Sequence, residues 1–443
     1  MADILINEAD FYFIAPLIVN DYSAFEMNLT KVGWKKFPDK KINFSLYDLE
    51  SLYETTPAFL GILENSSATL SQNGVCYVDS CEKNDTTELG RFRKRFQNKK
   101  LTFKVEGKDN ECIDELELGC VMRIHISPDK KAGIFIIHFR LPQKNATPRP
   151  LNKVISTNYW LHKTGKQAPT IMIDGEPVSG YETIMTIITK LINSPSLVAS
   201  PFHPGRLLAA TYIQVKTPNA MKDSELNIFK DSITHLGLCK GESYMISEED
   251  KKDVHNLFDN IFVHASPEGF CGAFQIIDDQ QSTKFMQKSS TTFLKSYLPI
   301  YSECVLLDLA SFQLINRKHK NNLHELSEQF RELKLTQILP ISRYSHLLQL
   351  KRIINGALSI MPKIESVSNY IDNIKEERNR NQERMLNSLL GFMGVGQVLF
   401  AILGLYQSDC TTWNTIAITL SALFFLMSVI IIIILTKQWI KKE

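Results

Sequence analysis

Hydrophobic positions are unevenly spread along this chain, and their densest run lies at its end. Two apolar stretches of membrane-spanning length, Leu386–Tyr406 and Trp413–Leu435, are separated only by Gln407-Ser408-Asp409-Cys410-Thr411-Thr412. At a helical rise of 1.5 Å per residue each covers roughly 30 Å, the thickness of a bilayer's hydrocarbon core. The connector is long enough only for a tight turn, so the pattern predicts a helical hairpin whose two ends lie on one side of the membrane.

Ahead of the hairpin the pattern is that of a folded, water-facing domain. Residues Cys120–Ile126 alternate with period two, pass through Ser127–Gly133, and return as Ile134–Leu141, which predicts a β-hairpin. Leu101–Val105 and Thr170–Ile173 read as further strands. Tyr181–Asn193 has helical spacing, and the proline-rich Val198–Pro204 reads as a loop before Arg206–Val215. From Ile246 the chain turns toward helix. Ser247 is placed to cap Glu248–Phe258, a last strand region covers Val263–Ile277, and helices are expected over Thr292–Gln313, Leu323–Leu335 and Ser342–Ile360. Pro299 should kink or restart the first of these. Pro362 suits the first turn of a new helix. No Gly or Pro follows from Lys363 until Gly391, so one helix of about 66 Å is expected from Lys363 to Tyr406. Its cytosolic half places Ile364, Val367, Ile371 and Ile374 on one face, as in an oligomeric stalk.

Charge orients the hairpin. Arg378, Arg380 and Arg384 precede the first span and Lys437, Lys441 and Lys442 follow the second, whereas the turn carries one acid and no base. The positive-inside rule then puts both termini in the cytoplasm, with Tyr406, Trp413 and Trp439 at the interfaces. The expected location is the inner (cell) membrane. A formal net charge of only +2 gives no support for bulk nucleic-acid binding, and no secretory leader is expected at the N-terminus. The eight cysteines are scattered. Cys76/Cys81, the closest pair, lacks the second pair of a zinc site, so no metal centre is expected. Nucleophile-elbow, P-loop, zincin and Cys-x-x-Cys motifs are missing, and the chain is not read as an enzyme.

Within the first span, Asn387, Gly391, Gly394, Val398, Ala401 and Leu405 recur at spacings of three and four and so share a face. This is the candidate pore lining. The other reading is that the glycines serve close helix packing. An intramembrane Asn is costly against lipid and favours an interior position. For an anionic ligand, Arg123, His125, His138 and Arg140 fall on one side of the predicted hairpin if it pairs in register; a solvated sheet face is the plainer alternative. Trp160, beside Tyr159, His162 and Lys163, offers a surface for a base, and Arg206 follows His203-Pro204-Gly205, where a helix N-terminus would meet phosphate. The basic run Arg91–Arg95, interleaved with Phe92 and followed by Phe96, is read as a solvated segment or a nucleic-acid contact.

A mixed cytosolic domain, a long stalk helix running into a first span, a short loop and a second span ending in lysines resembles the CorA family of two-span cation channels. The likeness runs from about Thr292 to the end, with Phe293–Ile315 similar to that family's penultimate cytosolic helices. That family closes its first span with a Gly-Met-Asn triplet after a Gly-hydrophobic-Tyr step. Here Gly404-Leu405-Tyr406 stands at the step, and Gln407, Ser408 and Asp409 replace the triplet at the pore mouth. The departure resembles CorA-like membrane effectors of type III CRISPR systems, gated by nucleotide second messengers such as adenylated S-adenosylmethionine. The resemblance implies a homopentamer in the bilayer and Mg2+ or another divalent cation as permeant ion. The expected fold is an α+β cytosolic domain followed by a long stalk helix and a two-helix transmembrane hairpin. Its parts are a sensor or ligand-binding region over 1–245, a helical region over 246–362, a stalk over 363–385, spans over 386–406 and 413–435 around the extracytoplasmic loop 407–412, and a basic tail over 436–443. A gated antiviral channel that disrupts the membrane ion balance is the leading expectation. A constitutive magnesium transporter and a membrane-anchored sensor without a pore are the alternatives.

Overall fold

The structure, a computed structural model, describes residues 4–19, 21–37, 75–78, 100–104, 112–126, 132–141, 147–162, 170–173, 176–179, 197–199, 208–258, 260–277, 289–316 and 345–405, with isolated positions at 327, 330–331, 415–416, 419 and 422. The chain divides into two compact units. One comprises Met1–Gln313 with Glu332–Lys363, the other Leu314–Arg331 with Ile364–Glu443.

The first unit is an α+β domain around a mixed sheet. Its strands are β1 (Leu5–Val19), β2 (Lys35–Phe37), β3 (Val75–Val78), β4 (Lys100–Lys104), β5 (Cys112–Ile126), β6 (Ala132–Arg140), β7 (Arg149–Pro150), β8 (Thr170–Ile173), β9 (Glu176–Ser179), β10 (Leu197–Ala199), β11 (Leu208–Thr217), β12 (Val254–Phe258), β13 (Ile261–Ala265) and β14 (Gly269–Ile277). The main order is β12-β13-β14-β11-β1-β6-β5-β4-β8-β9. Among the described pairs, β11 and β14 run parallel and the others antiparallel.

β1 is the spine. It is apolar on both faces because helices cover both, so it lacks the alternation that marks a half-solvated strand. Pro16 has no N–H to give to a ladder. It falls where the β11 pairing has ended at Ile14 and the β10 pairing begins at Leu17, so the missing donor leaves no bond broken on that side.

One face of the sheet carries Phe11, Phe13, Phe135, Ile137, Phe139, Ile213 and Cys271. It packs against α1 (Tyr22–Val32), α2 (Leu151–Leu161) and α3 (Asp223–Gly237) through Phe25, Leu29, Val154, Ile155, Phe229 and Ile233. Helix α1 starts on Asp21, which accepts from the Ala24 N–H at 3.1 Å, and stops at Gly33, whose φ of 119° lies in the left-handed region open to glycine.

The opposite face is covered by the turn Ser289–Thr292, a π-helical segment Phe293–Tyr297 and α5 (Leu298–Asn316). An aromatic ladder at helical spacing joins them: Phe293 stacks on Tyr12 and Phe270, Tyr297 meets Phe274 edge-on, and Tyr301 stacks on Phe270. The expected break at Pro299 takes the form of this π-helical segment, which widens the helix where a proline could not accept ordinary α packing behind it. Gly272 makes room for the ladder, since a Cβ there would lie 2.6 Å from the Phe293 ring.

Several sequence expectations need correcting in extent. The helix capped by Ser247 is confined to α4 (Glu248–Lys252), and the remainder of the expected Glu248–Phe258 helix is β12, because pairing with β13 offers its backbone a ladder. Val263–Ile277 is two strands rather than one. The hairpin is longer than its periodicity showed, with β5 beginning at Cys112. Helix α6 (Ser345–Ala357) corresponds to the expected Ser342–Ile360 and ends at Ser359, a left-handed residue with φ of 52°.

The expected continuous helix is present as α7 (Ile360–Leu405), 46 residues and about 69 Å long, with Pro362 in its first turn. Among the described residues, no helix is long and apolar enough to cross a membrane. The first apolar stretch forms the C-terminal part of α7. The second, the loop 407–412, the basic tail and the expected helices Tyr181–Asn193 and most of Leu323–Leu335 lie outside the described residues, as does Cys81.

Candidate functional site

Where a sheet buries both faces, core positions are ordinarily apolar, and charges appear only with partners. The helix-α5 side of this sheet departs from that rule along one row. Register sets Asp10 opposite Tyr212 on β11 and Arg140 on β6, and Tyr12 opposite His138. His138 is 6 % exposed. Its Nε2 lies 3.2 Å from an Asp10 carboxylate oxygen, and its ring stacks on Tyr12 at 4.4 Å. Neither imidazole nitrogen makes an aligned hydrogen bond among the described residues. Tyr12 reaches the other Asp10 oxygen at 3.5 Å.

Further along, the Tyr212 and Ser289 hydroxyls share a short hydrogen bond, and the Gln214 amide donates to Ser289 at 2.7 Å and to Tyr212 at 3.3 Å. Glu8 closes the row half-buried. Burial and the neighbouring Asp10 charge push its carboxyl above the usual range, while Lys216, a hydrogen bond from Tyr212 and Arg140 pull it back. Burial, with Glu8 next, raises the Tyr212 phenol well above its ordinary value. The row thus sets two carboxyls, Asp10 and Glu8, beside His138 and Arg140.

A second polar cluster joins the helices on this side. Lys351 of α6 and Glu303 of α5 form an ion pair at 3.3 Å with both side chains almost fully enclosed. Burial raises the Glu303 carboxyl, and Lys351 opposes that rise. One residue on, the Cys304 thiol points to the Asn355 carbonyl oxygen at 3.1 Å. Lys363, in the first turn of α7, bonds Asp308.

On α7 the candidate pore face is open within the single chain. Asn387 and Gly391 are exposed, Gly394 is half-exposed, and Val398 is 59 % exposed. A Cβ at Gly391 or Gly394 would meet nothing within 4 Å, so no packing inside the described chain requires these glycines. Ala401 and Leu405 belong to the same helix.

No family model, curated protein or solved structure matches this chain. The placement of each candidate residue therefore rests on geometry alone. In the register of the hairpin, Arg123 pairs with Ile136 and His125 with Ile134. Asp10 and Glu8, which the sequence reading did not single out, stand beside His138 and Arg140 and offset their charge. Trp160 is on α2, against the opposite face of the sheet, where it meets Tyr159 edge-on. The structure does not bring it to the other four. Arg206, Gln407, Ser408 and Asp409 lie outside the described residues, as does the basic run Arg91–Arg95. The available signal for the polar row was the cluster Asn7, Glu8 and Asp10 at the start of the otherwise apolar run from Leu5 to Val19.

Proposed function

We propose that this chain is the subunit of a CorA-like homo-oligomeric membrane channel, an antiviral effector gated by a nucleotide second messenger such as adenylated S-adenosylmethionine. The observation that carries the reading is the continuity of α7. One unbroken helix passes from a charged segment into a glycine-bearing apolar stretch whose Asn387, Gly391 and Val398 are exposed among the described residues. An asparagine and bare glycines within an apolar stretch are poorly suited to lipid and well suited to a helix turned toward other copies around a pore. In this reading the α+β domain binds the ligand, α5 and α6 pass the change on, and the first span opens to disrupt the ion balance. Asp409 adds a ring of acids at the far mouth.

Ion flux from liposomes holding the full-length protein tests this. Flux is expected only on addition of adenylated S-adenosylmethionine, and Asn387→Leu and Asp409→Asn should each change it. Ungated magnesium flux supports the constitutive transporter instead. No flux with any ligand supports a membrane-anchored sensor, and unchanged flux in both variants removes the pore assignment.

A further inference from the structure

Between α6, which ends at Ala357, and α7, which begins at Ile360, the chain turns on Leu358 and Ser359. Ser359 sits in the left-handed region at a φ of 52°, which is unfavourable for any residue with a Cβ. It closes one helix and opens the next. Its N–H donates to the Gly356 carbonyl at 3.0 Å, and its own carbonyl accepts from the Lys363 N–H at 3.3 Å. Pro362 explains why the two helices do not run together. In a continuous helix the Leu358 carbonyl would need the N–H of residue 362, which proline lacks, and the proline ring would press on that carbonyl. Leu358 is buried, and a buried carbonyl without a partner is costly. The residue after the proline supplies the partner. The Lys363 ammonium donates to the Leu358 carbonyl at 2.9 Å and also bonds the Asp308 carboxylate of α5.

Lys363 thus joins the end of α6, the start of α7 and α5 at one point. Two contacts precede it along α5, the Glu303–Lys351 ion pair and the contact of Cys304 with Asn355. Those tie α5 to α6, and Lys363 extends the series to α7. It is also where this part of the first compact unit ends, and α7 continues from it without a break. We infer that Lys363 is the positioning residue through which α5 holds the first turn of α7, so that breaking the Lys363–Asp308 bond uncouples ligand binding from channel opening. This rests on the channel reading above and names the residue that carries the coupling. A loose joint would absorb a movement of α5 before it reached α7. An ammonium bonded to both neighbours, beside a proline of fixed φ, passes the movement on. The bond is also poorly placed for simple cohesion. The Lys363 and Asp308 side chains keep 37 % and 19 % of their surface exposed, whereas Lys351 and Glu303 are almost fully enclosed. Water therefore reaches a carboxylate or ammonium released there, and Leu358 and Ile360, both buried, keep the corner folded.

The test pairs two measurements on the full-length protein: equilibrium binding of adenylated S-adenosylmethionine in detergent, and ligand-dependent ion flux from liposomes. Asp308→Ala removes the link to α5 and leaves Lys363 on the Leu358 carbonyl. It should bind ligand as wild type does, yet need about tenfold or more ligand for half-maximal flux, the equivalent of one lost charged hydrogen bond. Lys363→Met should behave alike. Lys363→Arg keeps a cationic donor at the position and should retain flux. Wild-type flux in both Asp308→Ala and Lys363→Met overturns the inference and leaves the channel standing. So does a loss of flux matched by an equal loss of ligand binding, which marks a role in the fold alone. Absence of flux in wild type overturns the channel reading and this one together. Hydrogen exchange reads the corner without an open state. Lys363→Met should raise exchange over residues 358–364 by about tenfold while the β1 amides stay as in wild type. No rise there, or an equal rise in β1, overturns the assignment.

Discussion

Single residues in this domain work against the ordinary preference of buried positions for apolar side chains. His264 on β13 is 1 % exposed, and burial lowers its pKa from 6.5 to about 4 despite the carboxylates of Asp253 and Asp250 nearby. The folded protein therefore resists protonating it, while the unfolded chain takes up a proton below about 6.5. Stability from this residue is complete above the unfolded value and is lost as the pH falls toward 4, by about 3 kcal/mol in total. Urea unfolding of detergent-solubilised protein at pH 7 and pH 4 should show that loss, and His264→Gln should reduce the difference between the two by a similar amount. Glu8 runs the other way, since a raised carboxyl favours the folded state on acidification. Comparing wild type with the His264 variant removes its contribution.

At the scale of elements, α5 and α6 are held in register by a contact that an apolar helix pair does not need. Removing one member of a buried ion pair leaves a charge with no partner and costs about 3–5 kcal/mol, whereas replacing both with apolar residues of similar size is often neutral or stabilising. Lys351→Met alone should lower the unfolding midpoint sharply. The double substitution Glu303→Leu with Lys351→Met should recover most of it, as measured by thermal unfolding. Recovery of stability with loss of ligand-dependent flux would assign the pair to coupling rather than to cohesion. The π-helical segment ahead of α5 belongs to the same scale. Its sequence signal was Pro299, legible as an interruption, but the form of the interruption depended on Phe293 finding its slot over Gly272.

For the molecule as a whole, the defining feature is the change of character along α7. Its charged portion ends at Arg384 and its apolar portion begins at Leu386, where Leu386, Leu390, Phe392, Met393, Val395 and Val398 are all exposed. An exposed apolar surface of that extent demands cover. The full-length protein is expected to sediment with membranes and resist extraction by carbonate. A chain ending after Glu383 should remain in the supernatant; a soluble full-length protein would remove the membrane reading.

The sequence by itself determined the features that are local. The absence of Gly and Pro from Lys363 to Leu390 gave one long helix, Ser247 gave a cap, and the Cys120–Leu141 alternation gave a hairpin. It did not reveal β1, because a strand buried on both faces has no periodicity to read. It could not foresee that Asp10 would meet His138, 128 positions along, or Glu303 meet Lys351, since such pairings are set by strand order and helix packing. Those long-range contacts, decided only by the tertiary structure, set the carboxyls of Asp10 and Glu8 beside His138 and Arg140.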